Sequence, residues 1–343
     1  VSVARIMMQA SSGANSDIVP LLAVAHFTTP FVTIYDQKGD TFTKLDNPAT
    51  LPADSSFSVS FSDDDTYMVV VHATSPNITI YKRDKETFTK LANPATLPPG
   101  AGQGVAFSVN ATYLAVAHGF SPFITIYKRS GDTFTKLANP ASLPSDASKG
   151  VSFSSDATYM AVANNASPYI IIYKRSGDTF TKLADPSTLP TGPGTGVSFS
   201  ADDTYLSITH GTSPFVTIYK RSGDTFTKLS NPSTLPPSTG NAVSFSNDTT
   251  YMAVGHGGSP FVTIYKRSGD TFTKLANPST LPAGTCRSVD FSSDTTYMAV
   301  GHDGTPFATI YKRSGDTFTK LANPAILPAS SGQGIAFSNT GFS

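Results

Sequence analysis

"YKRSGDTFTKLANP" occupies residues 127–140, and the same fourteen letters return at 265–278 and 311–324. Single-residue variants begin at Tyr173 ("LADP") and Tyr219 ("LSNP"). The leucine that closes "TFTKL" falls at Leu45, Leu91, Leu137, Leu183, Leu229, Leu275 and Leu321, always 46 residues apart. A period in the forties is the mark of a propeller or a solenoid, and the content of one unit decides between them.

Within one unit, "GVAFS" (104–108), "TYLAVAH" (112–118), "FITIYKR" (123–129) and "TFTKL" (133–137) are short runs rich in β-branched and aromatic residues. The turns "VNA" and "SGD" separate them, and the Pro-laden "ANPASLPSDASKG" leads to the next unit. No segment has helical period. The second and third runs are apolar at nearly every position, as befits a sheet covered on both faces. Lys136 in the fourth suits an outer edge that must resist further pairing. Four antiparallel strands per unit, numbered from the axis outward, make a blade.

Strand counting closes the ring. The second, third and fourth runs occur seven times. The first occurs at Val59, Val105, Val151, Val197, Val243 and Val289, and a seventh copy with Ile335 and Phe337 stands at the C-terminal end. The chain is therefore predicted to be all-β, a seven-bladed β-propeller of four-stranded antiparallel blades over residues 18–343. The terminal strand 334–338 completes the first blade. Residues 1–17 form an N-terminal extension. Their run "VSVARIMMQ", with Val1, Val3, Ile6 and Met8, is a spare strand for assembly or a competitor for the inner position of the first blade.

The sequence "GVAFS…TYLAVAH…FITIYKR…TFTKL" resembles the WD40-like and YVTN-type seven-bladed propellers over nearly the whole chain. The stretch "YMAVANNASPYIIIYK" (159–174) is closest to the YVTN pattern. Tyr127 stands where a WD40 tryptophan would be, and the turn "SPDG" becomes "SVNA" at 108–111. Near-identical repeats of this kind are also similar to uncharacterised propellers of bacteria and bacteriophages, which implies a surface or virion setting.

Charged residues make up 14 % of the chain and the net charge is zero. That excludes the basic stripe nucleic acid demands. No run approaches the roughly 18 apolar residues of a membrane span. All Lys and Arg except Arg5, Lys149 and Arg287 lie in the outer hairpins, so one rim is zwitterionic and the other nearly neutral. Cys286 replaces a glycine of other repeats in what reads as a loop, and no disulfide framework exists.

Every histidine takes one repeat position: His26, His72, His118, His210, His256 and His302, with Asn164 in the fourth copy. Strand spacing separates neighbouring members by roughly 10 Å, too far for one zinc ion with ligands at about 2.1 Å. No metal or cofactor is expected. The ring reads as hydrogen-bonding support for the adjacent turn, or as a polar lining for a partner.

The blades present the same side chains, and departures such as Asn164, Arg287 and Asp290 form no nucleophile–base–orienter set. The expectation is a non-catalytic structural propeller of an extracellular appendage or virion. It would bind copies of itself or another surface protein through the neutral face, Ile335, Phe337 or the spare strand. A multivalent carbohydrate- or protein-binding propeller is the alternative, and a lyase or lactonase ranks behind both.

Overall fold

The computed structural model describes residues 19–339. Val1, Val3, Ile6, Met8 and the expected spare strand lie outside the described residues. No helix among them is long and apolar enough to cross a membrane.

Seven four-stranded antiparallel sheets follow one another around a ring. In the second blade the strands run outward as Ser56–Phe61, Tyr67–His72, Ile78–Asp84 and Thr87–Lys90. The first blade takes its inner strand from the far end of the chain: Gly332–Phe337 lies against Leu21–His26, followed by Val32–Lys38 and Thr41–Lys44. Leu22 pairs with Phe337, Ala23 with Ala336 and Val24 with Ile335. Ile335 and Phe337 thus belong to the core of the closing blade.

The unbroken apolar character of the second strands has a direct cause. Met68 and Val70 enter the core shared with the first blade, whereas Tyr67, Val69 and Val71 enter the core shared with the third. Each blade is glued on both faces, and each fully buried Val, Leu or Met contributes about 1.5–3 kcal/mol.

Tyr127, at the tryptophan position of the WD40 pattern, is buried, and its hydroxyl donates to the Thr96 carbonyl at 2.9 Å. The other six blades repeat this bond from Tyr35, Tyr81, Tyr173, Tyr219, Tyr265 and Tyr311. It ties the third strand to the Pro-rich connection that enters the blade.

The charged rim is sorted into clasps between blades. Tyr67 Oη donates to Asp132 at 2.7 Å, Lys82 pairs with the same carboxylate at 2.8 Å, and Arg129 lies over the Tyr67 ring. Two interfaces differ. Where the seventh blade meets the first, Tyr297 and Lys312 keep their bonds to Asp40 at 2.7 and 2.8 Å but Gln37 takes the arginine position. Between the first and second blades Leu21, Asp36 and Glu86 replace the tyrosine, lysine and aspartate, and Lys38 bridges Asp36 at 2.6 Å and Glu86 at 4.0 Å.

Cys286 departs from the sequence expectation of a loop. It begins the inner strand Cys286–Phe291 of the seventh blade and is wholly buried, which pushes its thiol up to about 12.

Candidate functional site

The conspicuous histidines are enclosed. Each has no exposed surface, and Nε2 lies 2.8–3.0 Å from a threonine hydroxyl of the third strand: Thr33, Thr79, Thr125, Thr217, Thr263 or Thr309. In His72 and His210, Nδ1 donates to the Thr74 and Thr212 carbonyls at 2.9 and 2.8 Å, leaving Nε2 to accept from the hydroxyl. The fourth blade shows the pairing by exception. Asn164 replaces histidine where Ile171 replaces threonine, and its amide turns to Ser145 Oγ and the Ala166 carbonyl.

The side chains open to solvent near the axis belong to the inner strands. These crowd together: Gly104 faces the Lys149 carbonyl, and a Cβ on Gly334 would come within 2.6 Å of Ser58 Cα. Small residues are forced at this level, and the axial channel narrows.

Just outside the constriction lies an irregularity shared by all seven blades. The ladder between first and second strands skips one residue, as between Ser56 and Ser58 or between Cys286 and Ser288. The residue left out is Phe57, Gln103, Lys149, Thr195, Asn241, Arg287 or Gln333. A β-bulge frees its extra residue from pairing and re-aims the side chain, here into a cavity of about 200 Å³ at the mouth of the neutral rim. These seven copies comprise six residue types, whereas the inner-strand phenylalanine five residues past Ser56 is invariant.

Four members are stitched into the structure. Thr195 Oγ1 donates to the Gly240 carbonyl at 2.6 Å and Asn241 Nδ2 to the Cys286 carbonyl at 2.8 Å. Arg287 forks onto Asp303, with Nη2 2.6 Å from Oδ2, and Gln333 Nε2 donates to Ser331 Oγ at 2.6 Å.

At the other end, below the constriction, a polar cavity of about 440 Å³ is lined by Asp63, Asn247, Asp290, Ser293 and Asn339 among inner-strand phenylalanines. Asp290 is the one acid on any of the seven inner strands. It stands where four other copies carry serine, and it inherits that residue's bond to the next strand: the Phe337 N–H donates to Oδ2 at 2.9 Å, as the Phe199 N–H does to Ser152 Oγ at 3.2 Å. Ser244 Oγ donates to Oδ1 at 3.2 Å. Burial nevertheless dominates and pushes the carboxyl up to about 6. Asp290 and Arg287, three residues apart on one strand, therefore serve opposite ends of the channel.

The histidine column drew attention in the sequence because it repeats. Arg287 and Asp290 stand out in the sequence as departures from the repeat, but nothing in the 46-residue period places them on the channel.

No protein-family model matches the sequence, and neither does any curated protein. Solved structures do. A protein from Lactobacillus plantarum is 17 % identical, with a TM-score of 0.76 over 93 % of this chain and 99 % of that one. A protein from Bacteroides uniformis, provisionally named a 6-phosphogluconolactonase, is 14 % identical, with a TM-score of 0.76 over 94 % and 99 %. The periplasmic gluconolactonase PpgL of Pseudomonas aeruginosa is 16 % identical, with a TM-score of 0.72 over 93 % and 99 %. At these identities the likeness shows the fold. It also corrects the expectation of a non-catalytic structural or adhesive propeller, since the propellers resembled include ones named as enzymes.

Proposed function

We propose that the chain is a hydrolase of the lactonase type, opening a small cyclic ester in the polar end of the axial channel with Asp290 as the base. The observation that carries this reading is the position of Asp290, the one inner-strand carboxylate, on the wall of a polar cavity that it shares with Asp63, Asn247 and Asn339. The lactonase names of the propellers from Bacteroides uniformis and Pseudomonas aeruginosa support it. The periplasmic setting of the latter favours an exported location. The YVTN-type likeness of residues 159–174 belongs to the same reading.

In this mechanism the Asp290 carboxylate takes a proton from water as the water oxygen attacks the lactone carbonyl carbon. The ring C–O bond breaks and the proton passes to the departing alkoxide, giving a hydroxy acid and restoring the carboxylate. A carboxyl raised to about 6 is still mostly ionised at neutral pH and is a better base than an ordinary one. Asn247 and Asn339 each spend one amide N–H on protein, on the Ser293 carbonyl and on Asp63 Oδ1, and the second N–H of each is left for the developing oxyanion.

The test is pH-stat hydrolysis of D-glucono-1,5-lactone. The protein should exceed the spontaneous rate, and Asp290→Asn should lose about 100-fold or more, the usual weight of a general base. No acceleration by the unaltered protein, or an unchanged rate in Asp290→Asn, overturns the reading.

A further inference from the structure

The bulge ring divides unequally. Thr195, Asn241, Arg287 and Gln333 spend their donors on protein groups. On the three remaining, consecutive blades stand Phe57, Gln103 and Lys149. No hydrogen bond or ion pair engages Gln103 or Lys149 among the described residues, and Lys149 is exposed. It is one of two cations on the inner strands, and the other, Arg287, is neutralised by Asp303.

We propose that Phe57, Gln103 and Lys149 form a binding site for a small anionic carbohydrate at the neutral-rim mouth of the channel, the anionic group on Lys149 and the sugar ring against Phe57.

Three independent features converge on it. The first is geometric: the bulge takes each of these residues out of the ladder and turns it to one cavity. Bulges are over-represented beside active sites because they re-aim a side chain at the expense of pairing. The second is chemical. An aromatic face, an amide with free donors and a free ammonium together match a ring with hydroxyls and a negative charge. Phe57 packs in a T-shaped pair with Phe27, ring centroids 5.5 Å apart. The third is electrostatic. Lys149 is the unpaired cation facing this mouth, while the acids of the same rim are engaged: Asp303 by Arg287, Asp54 by the Ser55 N–H, and Asp146 by the Ala147 N–H and Asn165 Nδ2.

This mouth and the Asp290 cavity have no lining residue in common. The site therefore does not depend on the hydrolase reading, and binding can be measured without turnover.

Full-length protein is titrated with D-gluconate, inorganic phosphate and D-glucose by calorimetry at low salt. At least one anion should bind with Kd below about 10 mM, D-glucose should bind about tenfold more weakly, and the tighter anion tells whether carboxylate or phosphate is preferred. Lys149→Met should weaken the anion about tenfold, the scale of one charge-assisted contact. Phe57→Ala should weaken D-gluconate and leave phosphate unchanged. Both residues are surface-accessible, and an unchanged melting temperature shows that each variant folds. Failure of both anions to bind, or equal anion binding by Lys149→Met, overturns the proposal.

Discussion

Cys286 Sγ fills the volume that a methyl group on Gly255 would need. The two residues lie on neighbouring blades, in the core shared by the sixth and seventh. Most copies at the cysteine position carry glycine, and three at the Gly255 position carry alanine at 25, 117 and 163. Three other interfaces set a larger side chain against glycine, Val71 against Gly102, Ala163 against Gly194 and Thr209 against Gly240, and here the larger residue stands on the opposite blade. Gly255→Ala alone should destabilise by about 1–3 kcal/mol through overpacking. Adding Cys286→Gly should recover most of that loss. A urea-denaturation cycle on the four forms checks it, and additive effects would refute the coupling.

Asn164 and Ile171 changed together for a related reason. Returning histidine alone to position 164 places a buried ring nitrogen opposite an isoleucine, which costs about 1–3 kcal/mol. The double change Asn164→His with Ile171→Thr should restore the hydrogen bond of the other six blades and recover stability. Equilibrium unfolding of the single and double variants decides it.

The histidines also set an acid limit. Burial pushes His26, His118, His210, His256 and His302 down to about 4, and His72 down as well. Between the unfolded value near 6.5 and the folded one, the unfolded chain binds more protons, so stability rises with pH. It is lost as pH falls through that window. Asp290, raised to about 6, and Asp203, also raised by burial, work in the opposite sense but are two groups against six. The urea midpoint should drop steeply from pH 7 to pH 4.5, and His118→Gln should reduce that slope by about one proton's share.

The two kinds of polar contact between blades should differ in weight. Lys128 and Asp178 are each nearly half exposed, at 46 %. Water screens such pairs, so Lys128→Met should leave the urea midpoint almost unmoved. Tyr127→Phe removes a buried donor from the Thr96 carbonyl and should cost about 1 kcal/mol or more.

Blade number, strand order and the closing role of Gly332–Phe337 were legible because they are written in repetition and in periods of two. The enclosure of the histidines was half legible. Their spacing excluded chelation, but only coordinates reveal that each imidazole meets the threonine seven residues on. Cys286 was misread as a loop residue because glycine at its position signals a turn, whereas here glycine answers crowding near the axis. Asp290 was visible as a departure from the repeat but not as a channel residue, and the bulge ring escaped because a bulge leaves no local mark in sequence. Its residue is recognised when the ladder is seen to skip it.

The bond from Leu21 N–H to Ser338 Oγ joins positions 317 residues apart. At about 5–20 residues per second, a ribosome needs roughly 15–60 s to make the chain between them. Throughout that interval the second strand of the first blade, Leu21–His26, presents a bare edge, and its apolar residues wait for Ile335 and Phe337. Six blades can stack while the nascent chain is still tethered, but the final sheet cannot be zipped until its last strand clears the exit tunnel. Synthesis thus leaves one sticky margin uncovered longest, and a chaperone that guards it would act at this margin alone.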